Sequence, residues 1–299
     1  TLLVNESLSS TWDGTELKRN NSPRVGKWVV DSRSRIHDWY DHNVLANYLK
    51  LSADVQWRKD VFDESIELFN RWKWDHRDCG ILTTALIAAS WVQTAWSYRP
   101  QVMIVGESNS GKSVFMDVLY AMAGKLALKS AHPTEAGVRQ QIGITAGVPI
   151  IDEFEKSSQR EKIFQQLVRP STRGDRIIRG TPGGRSIQFT VRHLFWLAAI
   201  ESGLLKQADM NRFIKMQMFP VGEGERTLGN LPREREIRDL GQRILAIAVR
   251  CCRDAVTLSN VRMEEKVPWE VDSRVIEGSS VPADMLSAVR ADASYDDSK

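Results

Sequence analysis

Hydrophobic residues recur at helical spacing in the first third of the chain. Between Val61 and Trp74 they follow the period of an amphipathic helix, and Gly80 is a predicted break after it. Residues 81–98 are mostly apolar but fall short of the roughly 20 apolar residues that a membrane span needs, so they indicate a buried helix. A further short amphipathic helix is indicated by Trp39, Val44, Leu45, Tyr48 and Leu49.

Three short apolar runs have the character of buried strands. Residues 101–105 end at Gly106 and are followed by a helical pattern, and residues 148–151 and 194–200 are each followed by an acidic residue. Strands separated by helical segments favour a parallel sheet whose functional edge lies at the carboxyl ends of the strands. The predicted fold class is therefore α/β, with a central parallel sheet flanked by helices.

These patterns divide the chain into five predicted parts. Residues 1–60 are an N-terminal region without a sustained period, 61–100 a helical subdomain and 101–220 the α/β core. Residues 221–265 are expected to form a helical lid or small helical domain. Residues 266–299 are polar with an acidic end, so we expect them to be loosely ordered.

The composition is that of an ordinary globular protein. The 299 residues carry a formal net charge of +3 and a pI of about 8.7, too mildly basic to indicate a nucleic-acid partner. Cys79, Cys251 and Cys252 have no zinc-site or disulfide spacing, which favours a reducing cytoplasm. The chain begins at Thr1 without a signal pattern, and one interpretation is that it is a fragment of a longer protein.

The most specific motif lies between the first strand and the helix after it. Residues 106–113 match the phosphate-binding loop pattern in full, and the alternative of a chance glycine-rich turn is disfavoured by the flanking strand and helix. Lys112 is expected to reach the β- and γ-phosphates of ATP, and the Ser113 hydroxyl to bind Mg²⁺. Backbone N–H groups at the helix N-terminus would face the phosphates. The predicted binding residues are Gly106, Glu107, Ser108, Asn109, Ser110, Gly111, Lys112 and Ser113.

An acidic pair follows the second apolar strand. Asp152 is expected to hold Mg²⁺ through water, and Glu153 to orient or activate the water that attacks the γ-phosphate. An Asp-Glu pair is by itself usually a solvated turn, but its place after a phosphate loop and a buried strand favours the catalytic interpretation. The pair favours a hydrolase over a small-molecule kinase, and the lack of a guanine-reading Asn-Lys-x-Asp motif favours ATP over GTP.

A basic segment precedes the third strand. Residues 169–192 carry six arginines and one acidic residue, and residues 186–191 alternate with the period of a strand. These features predict a β-hairpin with a glycine-rich tip, whose Arg176, Arg179 and Arg185 are candidates to grip a phosphate backbone. A solvated basic hairpin without a ligand stays the alternative.

Arg212 follows the third strand, in a position to reach the γ-phosphate held by a neighbouring subunit. An arginine supplied in this way contributes roughly 10³–10⁵ in rate. Because an isolated arginine is ordinarily a surface charge, the assignment depends on position alone. It predicts a ring or another oligomer.

In this order, the motifs resemble the AAA+ helicase module of phage and prophage primase-helicases, which is related to superfamily 3 helicases. The resemblance covers residues 72–219. Besides the loop and the acidic pair it rests on residues 133–140, 179–185, 198–200 and 209–213.

The resemblance implies a P-loop AAA+ core with a hairpin before the first sensor strand, helical N- and C-terminal parts, and a hexameric ring in a bacterial host cytoplasm. It makes the hairpin a contact to single-stranded DNA and Arg212 the arginine finger. Thr134, Glu135 and Arg139 fall in a family motif whose chemical role the residues do not reveal.

Two family features are not matched clearly. A small polar residue is expected at the end of the sensor strand, where residues 199–202 read Ala-Ile-Glu-Ser, so the sensor residue is not assigned. No primase signature occurs, so any primase partner would lie elsewhere on this or another chain. The candidates for a second sensor are Arg233, Arg235, Arg238 and Arg243.

The leading hypothesis is an ATP-hydrolysing, Mg²⁺-dependent, ring-forming helicase that acts on single-stranded or forked DNA in the replication of a phage or mobile element. The alternative is a non-helicase AAA+ ATPase that loads or remodels a protein or nucleoprotein partner. A structural nucleic-acid-binding protein with a vestigial site is disfavoured by the intact Lys112, Ser113, Asp152 and Glu153.

Overall fold

A computed structural model gives the fold for most of the chain. It describes residues 2–4, 9–20, 24–25, 28–29, 39–130, 134–142, 145–152, 154, 158–180, 186–200, 207–220, 228–264 and 273–291. Among the predicted site residues, Glu153 and Arg185 lie outside these ranges, and the side chain of Arg179 is likewise not described.

The N-terminal region contains short strands that the hydrophobic pattern did not predict. β1, β2 and β3 form an antiparallel sheet, and β4 pairs with β5. Each strand is only two to four residues long, so no alternation stands out in the sequence. The strands are β1 (Leu2–Val4), β2 (Ser9–Trp12), β3 (Leu17–Asn20), β4 (Arg24–Val25) and β5 (Trp28–Val29).

Three helices then lead to the core, as the sequence predicts: α1 (His42–Leu51), α2 (Val55–Phe69) and α3 (Cys79–Trp91). Asp41 and Asp54 accept backbone N–H bonds at the starts of α1 and α2, so α2 begins before the predicted segment. The predicted break before the long apolar helix is present at residues 70–78 and not at Gly80, which is the second residue of α3. A Cβ there would meet Asn70 Oδ1 at 2.1 Å, so the glycine serves the close approach of α2 to α3.

The α/β core follows in the order β6 (Gln101–Gly106), α4 (Lys112–Ala123), β7 (Ala127–Ser130), α5 (Glu135–Ile142), β8 (Val148–Ile151), α6 (Ser158–Ile163), α7 (Arg169–Ser171), β9 (Arg176–Gly180), β10 (Ser186–Thr190), β11 (Trp196–Ala199), α8 (Gln207–Met210) and β12 (Phe213–Met218). Five of these strands form one parallel sheet in the order β12-β6-β11-β8-β7. The three predicted strands are therefore present, and β7 and β12 are additional edge strands. The sheet confirms the predicted α/β class with a central parallel sheet.

Both faces of the sheet are covered by helices. Val102 and Ile104 of β6 point into an apolar cluster with α3, α4 and α9 (Glu234–Glu264), whereas Met103 and Val105 point into a second cluster with α5 and α6. Burial on both faces explains why β6 reads as a continuous apolar run rather than an alternating one.

The predicted hairpin is present, since β9 and β10 pair antiparallel, with Gly180 opposite Ser186 and Arg176 opposite Thr190. The residues at its tip, 181–185, lie outside the described part of the chain.

The C-terminal part is helical to a greater extent than predicted. α9 packs against α1, α3 and α4, and α10 (Ser273–Arg290) packs against α9 and α3. The expectation of a loosely ordered tail is therefore wrong for α10, because Val281, Met285, Ala288 and Val289 are buried along one stripe of this helix. The helices that the structure describes include none long and apolar enough to cross a membrane. The division into five parts stays a prediction.

Candidate nucleotide-binding site

The glycine loop, residues 106–113, joins the carboxyl end of β6 to the amino end of α4. Asn109 and Gly111 have positive φ angles of 65° and 87°, which glycine adopts freely and asparagine tolerates. Gly106 is needed for space, because a Cβ would lie 2.6 Å from Ser110 Oγ and 2.7 Å from the Met218 carbonyl oxygen. Gly111 caps α4 without a side chain, so no capping side chain accepts from the first-turn N–H groups. Such N–H groups favour an anion.

Lys112 lies across the loop. Its Nζ donates to the carbonyl oxygens of Gly106 and Glu107, the latter at 2.8 Å, and lies 3.5 Å from Ser110 Oγ. The loop thus combines an ammonium group with the positive end of a helix. That combination suits a polyphosphate.

Asp152 and the glycine loop both lie at the carboxyl ends of the parallel strands. Asp152 follows β8, whose Ile151 pairs with Leu197 of β11, and Leu197 pairs in turn with Met103 of β6. Because β11 lies between them, β6 and β8 are about 10 Å apart at the usual strand spacing. Ile150 faces the α4 side of the sheet and Ile151 the α5 side, and Asp152 follows in a bend directly after β8.

The predicted magnesium ligands are two oxygen groups, the exposed Ser113 hydroxyl in the first turn of α4 and the half-buried Asp152 carboxylate. No group of three or more His, Cys, Asp or Glu side chains suited to a metal occurs in the described part of the chain. Mg²⁺ is commonly held by one or two protein groups together with phosphate oxygens and water, and this donor set fits that pattern. The role of Glu153 stays a prediction.

Two residues without a sequence motif, Trp72 and Leu228, lie against the loop at Gly111. Trp72 Nε1 donates to the Gly111 carbonyl oxygen at 3.0 Å, and a Cβ at Gly111 would lie 2.8 Å from Leu228 Cδ1. Neither contact has a local sequence signal, because Trp72 lies 39 positions before Gly111.

The motif residues after β7 form a compact local unit at the start of α5. Thr134 Oγ1 accepts the Gly137 N–H at 3.1 Å, and Glu135 pairs with Arg139 at 3.0 Å. Since α5 follows the carboxyl end of β7, these residues belong to the loop edge of the sheet. These contacts stay within the start of α5 and assign no chemical role to Thr134, Glu135 or Arg139.

Arg212 lies at the opposite end of the strands from the glycine loop, beside the amino end of β6. Its carbonyl oxygen accepts the Gln101 N–H at 2.9 Å, at the amino end of β6. From Gln101 to Gly106 the strand makes five steps, which is about 17 Å. The Arg212 side chain is 11 % exposed, and its guanidinium pairs with Asp209 at 3.4 Å. Arg212 is thus far from the glycine loop of its own subunit.

The base of the hairpin lies at the same amino ends of the strands, because β10 leads into the amino end of β11. Arg176 at its base is exposed, and Arg179 lies opposite Ile187 in the register. Ile178 between them is 61 % exposed. The base of the hairpin and Arg212 therefore both lie at the amino ends of the strands, away from the glycine loop.

The second-sensor candidates lie in or just before α9, and three of them form ion pairs. Arg233 pairs with Glu236, Arg238 with Glu234, and Arg243 with both Glu64 and Asp239. The hydrogen bonds that Arg243 donates to the Glu64 carboxylate are the main cause that raises the pKa of Arg243. Nothing in these contacts selects one of the four, and the predicted sensor residues after Ala199 lie outside the described residues except Ile200.

A buried histidine joins the hairpin base to the core. His193 Nε2 donates to the Thr145 carbonyl oxygen at 2.9 Å, and Nδ1 accepts the Arg192 N–H at 3.2 Å. Both ring nitrogens are thus satisfied in the neutral form. Burial lowers the pKa of His193 to about 4.

Comparison with known proteins gave no match to a protein-family model and none to a curated protein.

Proposed function

We propose that this chain is an ATP-hydrolysing, ring-forming DNA helicase that translocates on single-stranded DNA in the replication of a phage or mobile element. The observation that carries the proposal is the shared edge of the parallel sheet, where the glycine loop follows β6 and Asp152 follows β8. Ligands of open α/β sheets bind outside the carboxyl ends of the strands, at the point where strand order reverses. Here β6 connects towards β7 and β11 connects the other way, to β12, so the reversal falls beside the loop.

The first step is the capture of the triphosphate by the loop. The first-turn N–H groups of α4 would bind the phosphate oxygens, and Lys112 would turn from the Gly106 and Glu107 carbonyls to the β- and γ-phosphates. The narrow space at Gly106 keeps the loop curled, so the N–H groups are oriented before the ligand arrives.

The second step is hydrolysis. The Ser113 hydroxyl and Asp152 would hold the magnesium ion, which when bound neutralises charge on the phosphates. In the proposed scheme Glu153 orients the attacking water and accepts its proton. Replacing Ser113, Asp152 or Glu153 by alanine should remove only the role of the side chain that is replaced.

The third step uses a neighbouring subunit. About 17 Å of strand separates Arg212 from its own loop, so the proposal places the Arg212 guanidinium in the site of the adjacent copy. Its pairing with Asp209 would hold the guanidinium at the subunit edge until the neighbour's γ-phosphate competes for it. The proposal thus includes a hexameric AAA+ ring.

The fourth element is the hairpin, to which the sequence assigns Arg176, Arg179 and Arg185 and whose base lies away from the loop. In the proposed ring it contacts the DNA backbone, and each arginine that binds a phosphate adds about one unit to the dependence of the affinity on salt.

The test is strand separation of forked DNA with ATP and Mg²⁺. We expect unwinding by the wild type and none by Lys112→Ala. Replacement of Arg179 and Arg185 by alanine should weaken DNA binding and flatten its salt dependence by about one phosphate contact each. Lys59→Ala with Arg77→Ala is a matched control, since both side chains are exposed and lie outside the core.

The alternative function makes the opposite prediction for the hairpin. A loader or remodeller of a protein partner would keep its activity when Arg179 and Arg185 are replaced. ATP hydrolysis that single-stranded DNA does not stimulate would contradict the helicase proposal.

A further inference from the structure

A tryptophan from the helical part of the chain donates a hydrogen bond into the glycine loop. Trp72 follows α2, and its Nε1 lies 3.0 Å from the Gly111 carbonyl oxygen. The same oxygen accepts the Phe115 N–H at 2.9 Å, which is the first bond within α4. A carbonyl oxygen has two lone pairs, and here each has a donor.

These two bonds determine the direction of a peptide plane. The carbonyl of Gly111 and the N–H of Lys112 belong to one planar trans peptide and point in opposite directions. Fixing the carbonyl therefore fixes the N–H. That N–H is the first of the helix-terminal donors available to an anion.

The indole itself is held firmly. Trp72 is 3 % exposed, and its ring meets Phe115 edge-on at 5.6 Å and Phe69 at 6.0 Å. A Cβ built on Gly111 would lie 2.8 Å from Leu228 Cδ1 and 3.0 Å from Trp72 Nε1, so both side chains pack closely against this glycine. A ring packed in this way acts on a nucleotide through the peptide and not by direct contact.

We propose that Trp72 is a positioning residue for nucleotide binding, which orients the Lys112 N–H towards the phosphates through its hydrogen bond to Gly111. The inference rests on the proposed function, because it assumes that the loop binds a nucleoside triphosphate. It assigns part of the binding site to the helical segment before the α/β core.

Trp74 provides a matched control within the same cluster. Its ring also meets Phe115 edge-on, at 5.7 Å, and its Nε1 also donates to a backbone carbonyl, that of Phe69 at 2.8 Å. Phe69 is the last residue of α2 and lies outside the loop. Trp72→Phe and Trp74→Phe therefore remove the same kind of bond, and only the first is made to the loop.

The experiment measures the Kd of ADP and of a non-hydrolysable ATP analogue with Mg²⁺, together with KM and kcat for ATP, in full-length wild type and both variants. Losing one neutral hydrogen bond should raise the Kd of Trp72→Phe about three- to tenfold. KM should rise by a similar factor while kcat changes less than twofold, as for a lost binding interaction. Trp74→Phe should keep the wild-type Kd within twofold.

A wild-type Kd in Trp72→Phe, or an equal rise in both variants, would overturn the inference. If Trp72→Phe does not fold, benzothienylalanine at position 72 replaces the indole N–H by sulfur and keeps the ring size, and its Kd decides in the same way. A wild type that binds neither nucleotide would overturn the proposed function itself, and the inference with it.

Discussion

Replacing Gly106 by alanine tests how closely the loop is fitted to its surroundings. The new Cβ would lie 2.6 Å from Ser110 Oγ, 2.7 Å from the Met218 carbonyl oxygen and 3.2 Å from Met218 Cβ. Ser110 is 1 % exposed and Met218 belongs to the paired strand β12, so the loop itself has to shift. Overpacking of this kind costs about 1–3 kcal/mol of folding free energy. The loss of one N–H bond to a charged phosphate costs about 1.5–3 kcal/mol more in binding, which is at least tenfold in Kd.

The assay is the unfolding free energy with and without Mg²⁺ and a non-hydrolysable ATP analogue. A ligand at 100 times its Kd stabilises the wild type by about 2.7 kcal/mol, and the same concentration would stabilise a variant with tenfold weaker binding by about 1.4 kcal/mol. Gly278→Ala is the control, because the nearest atoms to its Cβ lie at 3.6 Å. The reasoning would be refuted if Gly106→Ala matched the wild type in both the free energy and the ligand effect.

Three further predictions follow from single contacts. Gly241→Ala should destabilise the fold by about 2 kcal/mol or more in urea titrations, because the new Cβ would meet the Met122 carbonyl oxygen at 2.1 Å. This cost should exceed the gain of about 1 kcal/mol in helix propensity. A stability equal to that of Gly278→Ala would contradict the prediction. His193 has a folded-state pKa of about 4, below its ordinary 6.5, so the unfolded chain binds the extra proton first and stability should fall by up to about 3 kcal/mol as the pH drops from 6.5 to 4. His193→Gln should flatten that part of the pH profile, and an unchanged profile would rule out His193 as its source. Lys112→Ala and Arg212→Ala should each abolish most ATP hydrolysis. A mixture of the two variants should regain activity at the interfaces that join an intact loop to an intact Arg212. A mixture as inactive as its components would contradict an arginine finger supplied by the neighbouring subunit.

The β6–loop–α4 unit could be predicted because several local signals agree there. A continuous apolar strand, two glycines and a helical apolar stripe each point to the same structure, and the turn between them needs the positive φ of Gly111. The hairpin was predictable for the same reason. Residues 186–191 alternate with the period of a strand after a glycine-rich segment, although Ile177 and Ile178 of β9 do not alternate.

The parts that could not be predicted depend on tertiary contacts. β7 and β12 are edge strands of mixed polarity, and only their pairing with β8 and β6 identifies them. Arg212 lies near the amino end of β6 because it comes directly before β12, which pairs parallel with β6 and was not predicted from the sequence. The contact of Trp72 with Gly111 likewise joins two distant segments. Glu153 and Arg185 lie outside the described residues, so their assignments stay predictions from the sequence.

Phosphate release from ATP is the most direct test of the central claim that the glycine loop binds and splits a nucleoside triphosphate. The purified chain with Mg²⁺ should release phosphate, single-stranded DNA should increase the rate, and Lys112→Ala should reduce it to background. Phosphate release at the same rate by the wild type and Lys112→Ala, or none by the wild type with DNA present, would contradict the account.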